Sequence, residues 1–191
     1  MEQRKIPGVI GGVGPAATVE FLKRVMELTP ARCDQEHLHL LVDHCPSIPD
    51  RTAAILGQGE SPVPALVASA RRLEKMGADF IVIPCNTATY FLPPVRQKIS
   101  LPIYTPVSAL VKILKGQTAG LKRLALLATT GTVAAGIYQR KLAGTGLKLV
   151  LPDRNQQEEV MQAIYAVKAG RELRSVRKIL LKVVAEMKQR K

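Results

Sequence analysis

The segment Ile83-Pro84-Cys85-Asn86-Thr87-Ala88-Thr89 joins a thiol to a run of neutral hydrogen-bond donors, and an apolar stretch, Phe80 to Ile83, delivers it. A strand that ends on a cysteine and passes into a helix puts that cysteine at the carboxyl end of a sheet. In open α/β folds ligands bind there. A thiol at the positive end of a helix, among Asn and Thr donors, is expected to ionise below its reference value of about 8.5, and so to act as nucleophile or base near neutrality. The competing reading is a buried, inert cysteine. Against it stands the Asn-Thr-x-Thr run, a poor lining for an apolar core.

Gly11-Gly12-Val13-Gly14-Pro15-Ala16-Ala17-Thr18 follows another short apolar run and opens a helix. It contains Gly12-x-Gly14-x-x-Ala17, a relaxed dinucleotide fingerprint, but the acidic residue wanted about 20 positions on is represented only by Asp43, which comes about ten positions late. Three uses stay open for Gly12, Val13 and Gly14: a nucleotide turn, a backbone cradle for a small carboxylate, or a tight turn of structural value only. Pro15 suits all three. Thr129-Thr130-Gly131-Thr132 follows Leu124 to Ala128 in the same manner and offers hydroxyls and amides without a nucleophile. It reads as an anion cradle, a helix-capping turn, or both. Two such turns would suit the two ends of a small anion such as an amino acid.

Arg51, in Asp50-Arg51-Thr52, is either a surface arginine or a planar fork for a carboxylate. Lys168 is ambiguous in the same way, because a helix C-terminus favours a lysine through its dipole alone. His37, His39 and His44, with Cys33 and Cys45, gather around one strand. Alternation puts His37 and His39 on one face and His44 about 15 Å or more away at strand rise, so no metal site is expected. No Ser-His-Asp arrangement, Walker lysine loop or Cys-x-x-Cys pair is present.

The elements that must position these residues alternate from end to end, which is the α/β pattern. Val9-Ile10, Leu38 to Val42, Phe80 to Ile83, Ile103-Tyr104, Leu124 to Ala128 and Leu147 to Leu151 read as strands, several of them suited to a parallel sheet covered on both faces. Helices are expected at 15–29, 50–57, 62–76, 86–99, 106–115, 132–143, 156–168 and 172–189. Asp50, Ser61 and Thr132 are the expected N-caps, and Gly57, Gly77 and Gly144 the stops. The seam falls at Leu101 to Pro106, giving lobes 1–105 and 106–191.

Composition bounds the class. With 191 residues, 47% hydrophobic and 23% charged, the chain is long enough and apolar enough for a sizeable core. No apolar run reaches the roughly 18 residues of a membrane span, and the apolar run after Lys5 is too short for a secretory signal. Three cysteines make no disulfide framework, so the cytoplasm is the expected compartment. Of the net +13, a net +7 lies between Lys168 and Lys191. There Val176, Ile179, Leu180, Val183, Val184 and Met187 form the inner stripe of a helix, so the charges are its solvated outer face. With 4% aromatics and no recognised motif, no nucleic-acid partner is expected.

The Ile10 to Thr18 turn, the Ile48-Pro49-Asp50-Arg51-Thr52 loop and Pro84-Cys85-Asn86-Thr87-Ala88 together, in order and spacing, resemble the aspartate/glutamate racemase family of cofactor-independent amino-acid racemases. The resemblance runs on through Leu124 to Thr132 and Ile164 to Gly170. It implies two similar α/β lobes, each with a mostly parallel sheet flanked by helices, and two cysteines that act as base and acid on opposite faces of the substrate α-carbon. Carried over, Cys85 resembles the first catalytic cysteine, and Asn86, Thr87 and Thr129 the donors to the α-carboxylate. Arg51 and Lys168 fall where aspartate-selective members place cations for the side-chain carboxylate. Gly12, Val13 and Gly14 complete the substrate-binding set, with Val13 where many relatives have methionine. The implied ligand is a small acidic amino acid or dicarboxylate, no cofactor or metal is called for, and a homodimer is the expected assembly.

The departure is at the end. The family's second cysteine lies in a Gly-Cys-Thr motif beyond the last helix, and no such motif occurs in residues 1–191, so the second lobe is expected to be C-terminally incomplete and racemisation is in doubt. Cys45 lies six residues before Arg51 but belongs to the same lobe as Cys85, whereas inversion needs an acid on the opposite face. The alternative is a non-catalytic or one-cysteine member that binds a small dicarboxylate.

Overall fold

Pro7–Gly11 is buried along its whole length and forms β1, an interior strand of a parallel sheet. In the computed structural model, which describes residues 4–116 and 120–189, β1 pairs with β2 (Leu41–His44) on one side and β3 (Phe80–Val82) on the other. β4 (Ile103–Tyr104) pairs with β3 and completes the order β2-β1-β3-β4. The crossovers are α1 (Pro15–Leu28), then α2 (Arg51–Ile55) with α3 (Val63–Lys75), then a 3-10 turn (Thr87–Phe91) with α4 (Leu92–Arg96). Because every strand runs the same way, all the carboxyl ends lie on one edge.

α5 (Pro106–Gly116) follows, and the chain divides into two compact units between Ala109 and Leu110, inside this helix rather than at the expected 105/106 seam. The second unit holds a parallel pair, β5 (Arg123–Ala125) and β6 (Lys148–Val150). α6 (Thr130–Ala134) and α7 (Ile137–Leu142) connect the two strands, and α8 (Arg154–Lys168) and α9 (Leu173–Gln189) follow. In the first unit α3 lays Leu66, Val67, Ala70 and Leu73 against Ile10 and Ile81. In the second, Val160 of α8 packs with Val183 and Met187 of α9, so the inner stripe of the basic helix does face a core.

Several local expectations need correcting. β2 begins at Leu41 and not Leu38, because its ladder with β1 starts where Gly8 pairs with Leu41, and Pro7 before it has no amide to donate. The helix expected over 86–99 splits into the 3-10 turn and α4, since Pro93 and Pro94 supply no amide to continue a ladder from the turn before. The helix expected over 132–143 starts earlier and breaks at Gly136, whose φ of +57° is left-handed. Thr132 is not its cap: Thr129 is, accepting from the Thr132 amide at 3.1 Å. Pro62, not Ser61, caps α3, and the Ser61 hydroxyl accepts from the Val63 amide beside it. Asp50 caps α2 as expected, accepting from Thr52 and Ala53.

The end of β1 is shaped by close approach. The Cys45 amide donates to the Gly11 carbonyl at 3.1 Å, and the Cys45–Pro46 backbone then lies directly over Gly12. A Cβ on Gly12 would sit 2.5 Å from the Cys45 carbonyl carbon, and φ there is +80°. Thr18, fully buried one turn into α1, locks the bend: its hydroxyl accepts from the Gly12 amide at 3.0 Å and donates to the Gly14 carbonyl at 3.1 Å.

Asp43, on β2, faces α3, where the Ser69 hydroxyl and the Arg72 guanidinium both donate to it, the latter at 2.7 Å. Burial pushes this carboxyl up, but the hydrogen bonds from Arg72 and Ser69 and the Arg72 charge together hold it below its ordinary value. It is thus committed to the fold and not placed to hold a ribose.

Two predictions follow from these contacts. Gly12→Ala should destabilise the protein by about 3 kcal/mol or more, through left-handed strain plus a backbone clash, whereas Gly14→Ala, with open space around the new methyl, should stay within about 0.5 kcal/mol; urea midpoints measure both. A carboxyl with a lowered native value stabilises above its unfolded value of about 3.9 and loses that contribution as pH falls through the native one. Asp43→Asn should therefore cost about 1 kcal/mol at neutral pH, with variant and parent converging as pH falls through the lowered native value.

Candidate active site

Val9 pairs with Val82, so Gly12 and Cys85, each three residues further on, leave the carboxyl edge of the first sheet at the same level on neighbouring strands. The Ile83 amide still donates to the Tyr104 carbonyl at 2.9 Å. The chain then reverses at Pro84, where the Cys85 amide donates to the Ile83 carbonyl at 2.7 Å. This three-residue turn stops the strand at the thiol, which is half-buried against the core of the first unit. Asn86 starts the 3-10 turn, and Thr87 and Ala88 are buried behind it. Thr89 donates across to Thr105 at 3.1 Å, tying the turn to the end of β4. The helix dipole anticipated behind Cys85 is therefore that of a short 3-10 turn and the five-residue α4.

Arg51 is not a surface residue. It is 7% exposed, and its Nη1 donates to the carbonyls of Ile48 at 2.9 Å and Pro49 at 3.0 Å. Among the described residues no carboxylate pairs with it. A buried cation normally has a counter-ion, because desolvating an unpaired charge is expensive. α2, which Arg51 opens, packs against the 3-10 turn that follows Cys85. The fold thus brings the guanidinium's helix to the segment that carries the thiol, Asn86 and Thr87.

The glycine turn does less than a full backbone cradle would. The Gly12 amide is bound to Thr18, and the Val13 side chain is buried in the core, so neither points outward. Gly14, the N-cap of α1, is the position with open space around it.

Thr129 and Lys168 belong to the second unit. Thr129 stands where the chain leaves β5; its hydroxyl accepts from the Thr132 amide and lies 2.9 Å from the buried Thr132 hydroxyl. Lys168 is the last residue of α8, with its ammonium 5.0 Å above the Tyr165 ring, a cation-π contact. Helix α8 also reaches the Thr129 loop, but through Gln157, eleven residues or about 16 Å of rise before Lys168. Thr129 and Lys168 are therefore held by one helix at well-separated points.

Two contributing residues escaped the sequence reading. Thr18 left a weak trace, a hydroxyl four residues past Gly14 in an otherwise apolar first turn. Gln157 left none, since nothing in the pattern of α8 marks which polar residue turns inward. Among the described residues no three His, Cys, Asp or Glu side chains form a metal-binding group. Of the three histidines only His44 lies in β2, with His37 and His39 in the approach to it.

The chain is similar in sequence and fold to known proteins. The family described as Asp/Glu/Hydantoin racemase matches residues 10–191. The broad specificity amino-acid racemase RacX of Bacillus subtilis is 32% identical over 165 residues, covering 84% of this chain and 70% of that protein. The aspartate racemase of Picrophilus torridus superposes with a TM-score of 0.88 at 34% identity, over 97% of this chain and 77% of its own. The glutamate racemase of Aquifex pyrophilus, at 23% identity and a TM-score of 0.57, covers 78% of this chain and 54% of its own and shares the fold. With the family match running over residues 10–191 and a relative at 32% identity covered over 70% of its length, the chain belongs to the Asp/Glu/hydantoin racemase family.

Proposed function

We propose that the protein labilises the α-proton of aspartate or glutamate, interconverting the L and D forms with Cys85 as the first proton-transfer group and without a pyridoxal cofactor or metal. The observation that carries this reading is Arg51, a buried guanidinium with no carboxylate partner among the described residues, on a helix packed against the turn that follows Cys85. A substrate carboxylate is the counter-ion such a site calls for.

In this reading the Cys85 thiolate takes the proton from the α-carbon, and the electron pair left behind spreads into the α-carboxylate. Hydrogen bonds from Asn86, Thr87 and, in the second unit, Thr129 bear that charge. Gly14 and the Val13 backbone line the approach, Gly12 shapes the turn, and Arg51 with Lys168 takes the side-chain carboxylate. Inversion further requires an acid on the opposite face. Cys33 is exposed ahead of β2, and Cys45, with its sulfur 3.3 Å from the Ser47 hydroxyl, belongs to the first unit with Cys85. The second reading is a one-cysteine site that binds a dicarboxylate and exchanges its α-proton without inversion. The protein is taken as a cytoplasmic homodimer. The name of its Bacillus relative, a broad specificity racemase, makes neutral amino acids the comparison substrates.

Incubation with L-aspartate in heavy water, followed by α-proton exchange and optical rotation, separates the readings. Racemisation that falls about 10²–10⁴-fold in Cys85→Ser supports the enzyme; exchange without inversion supports the one-cysteine site; aspartate binding with neither sinks the catalytic claim. Arg51→Lys, which keeps the charge and loses the fork, should weaken aspartate binding about 10- to 100-fold while leaving alanine nearly unaffected. Equal losses for both amino acids would remove Arg51 from side-chain recognition.

A further inference from the structure

The loop that carries Thr129 is held from behind by one helix. Gln157, one turn into α8, donates its side-chain amide to the Ala128 carbonyl at 3.0 Å and to the Thr130 hydroxyl at 3.3 Å. One helical turn later, Met161 accepts the Thr130 amide on its sulfur at 3.2 Å. Residues on both sides of Thr129 are thus tethered to the same face of α8, at positions four apart that share a face by helix geometry.

The Gln157 bonds come with an uncompensated cost. With the nitrogen turned toward two acceptors, the amide oxygen is buried without a hydrogen-bond partner among the described residues. Turning the amide over would set that oxygen against the Ala128 carbonyl, which is repulsive. The orientation is therefore dictated by the loop, and an unsatisfied buried acceptor of the kind that costs about 1–3 kcal/mol is kept to maintain it. Met161 makes a similar concession, since a thioether is a weak acceptor for a backbone amide. Neither choice serves stability well, whereas both fix where Thr129 stands. Local departures from good packing chemistry of this sort gather at functional sites.

We infer that Gln157 is a positioning residue for ligand binding: through the Ala128 carbonyl and the Thr130 hydroxyl it holds Thr129 where its hydroxyl meets the substrate α-carboxylate, with Met161 as the second tether. The inference rests on the reading of Thr129 as a carboxylate donor. It assigns no contact between Gln157 and substrate.

The test is a double-mutant cycle on the full chain, with aspartate affinity read by calorimetry and the α-proton exchange rate at saturation read separately. Thr129→Val and Gln157→Leu should each weaken aspartate binding about tenfold, and the double variant should be no weaker than Thr129→Val alone, because Gln157 acts only through the loop. Gln157→Glu keeps the shape, reverses the hydrogen-bond sense at Ala128, and should match Gln157→Leu; this guards against a variant that simply packs badly. Losses that multiply in the double variant, or a Gln157→Glu protein that binds like the parent, overturn the inference. If Thr129→Val binds aspartate unchanged, the role given to Thr129 fails instead. Amide exchange then decides for Gln157: faster exchange at Thr130 and Thr132 in Gln157→Leu retains it as the loop's anchor, and unchanged exchange overturns that as well.

Discussion

The first unit depends on two backbones pressed together with nothing between them. The Cys45–Pro46 segment crosses Gly12 so closely that a Cβ would lie 2.5 Å from its atoms, and the same crossing lets the Cys45 amide continue the ladder to Gly11. The bend this allows sends the chain from β1 into α1 within three residues, and Thr18 then closes it with two hydrogen bonds. Since β1 lies between β2 and β3, its end fixes the height of the whole carboxyl edge. Cys85 emerges at that height on one side of Gly12. On the other, the chain passes from Cys45 toward the loop where Arg51 binds the Ile48 and Pro49 carbonyls.

Charge is organised on a second principle. The protein carries a formal +13, and where its solvent-facing cations pair they do so along or between helices, as Arg24 does with Glu20 and Glu27 within α1, or Lys182 of α9 with Glu159 of α8. Such pairs contribute little each. Arg51 differs in being buried and in having carbonyls instead of a carboxylate for company. Arg72 shows the contrast within the same unit: half-exposed, it is paired with Asp43, and that carboxyl is raising its affinity for protons in turn. The abundance of positive charge is thus a property of outer faces, and among the described residues Arg51 alone is a buried cation.

How much of this could be read from the residues divides along physical lines. The β-α alternation, the start of α1 at Pro15, Asp50 as a cap and the inward stripe of α9 all rest on local rules of spacing and capping, and the structure follows them. β2 was misplaced because its start is set by where β1 begins, a tertiary matter that its own apolar pattern does not record. The region after Cys85 is helical by composition, but Pro93 and Pro94 interrupt the ladder and leave a 3-10 turn. At the candidate site, the placement of Cys85 at the carboxyl edge was legible because a polar run after an apolar strand is unusual. Arg51 was ambiguous, because burial cannot be seen in a neighbourhood of proline, aspartate and threonine. Gln157 was invisible: the two atoms it binds lie 27 and 29 residues away.

The strand order has a bearing on how the chain is made. β1 precedes both of its neighbours in the chain, β2 at Leu41–His44 and β3 at Phe80–Val82. At translation rates of about 5–20 residues per second, β1 waits about 4–15 s for β3 to be made. Through that interval a strand of five residues that the finished fold buries completely has a free edge and apolar faces open to water and to other nascent chains. Its composition suits that exposure: the run is short, Pro7 begins it and Gly8 and Gly11 interrupt it, and proline and glycine are the residues that discourage wayward strand pairing. The same glycines that leave room for the side chains of Leu73, Ala78 and Thr18 against β1 in the native state thereby guard it on the ribosome.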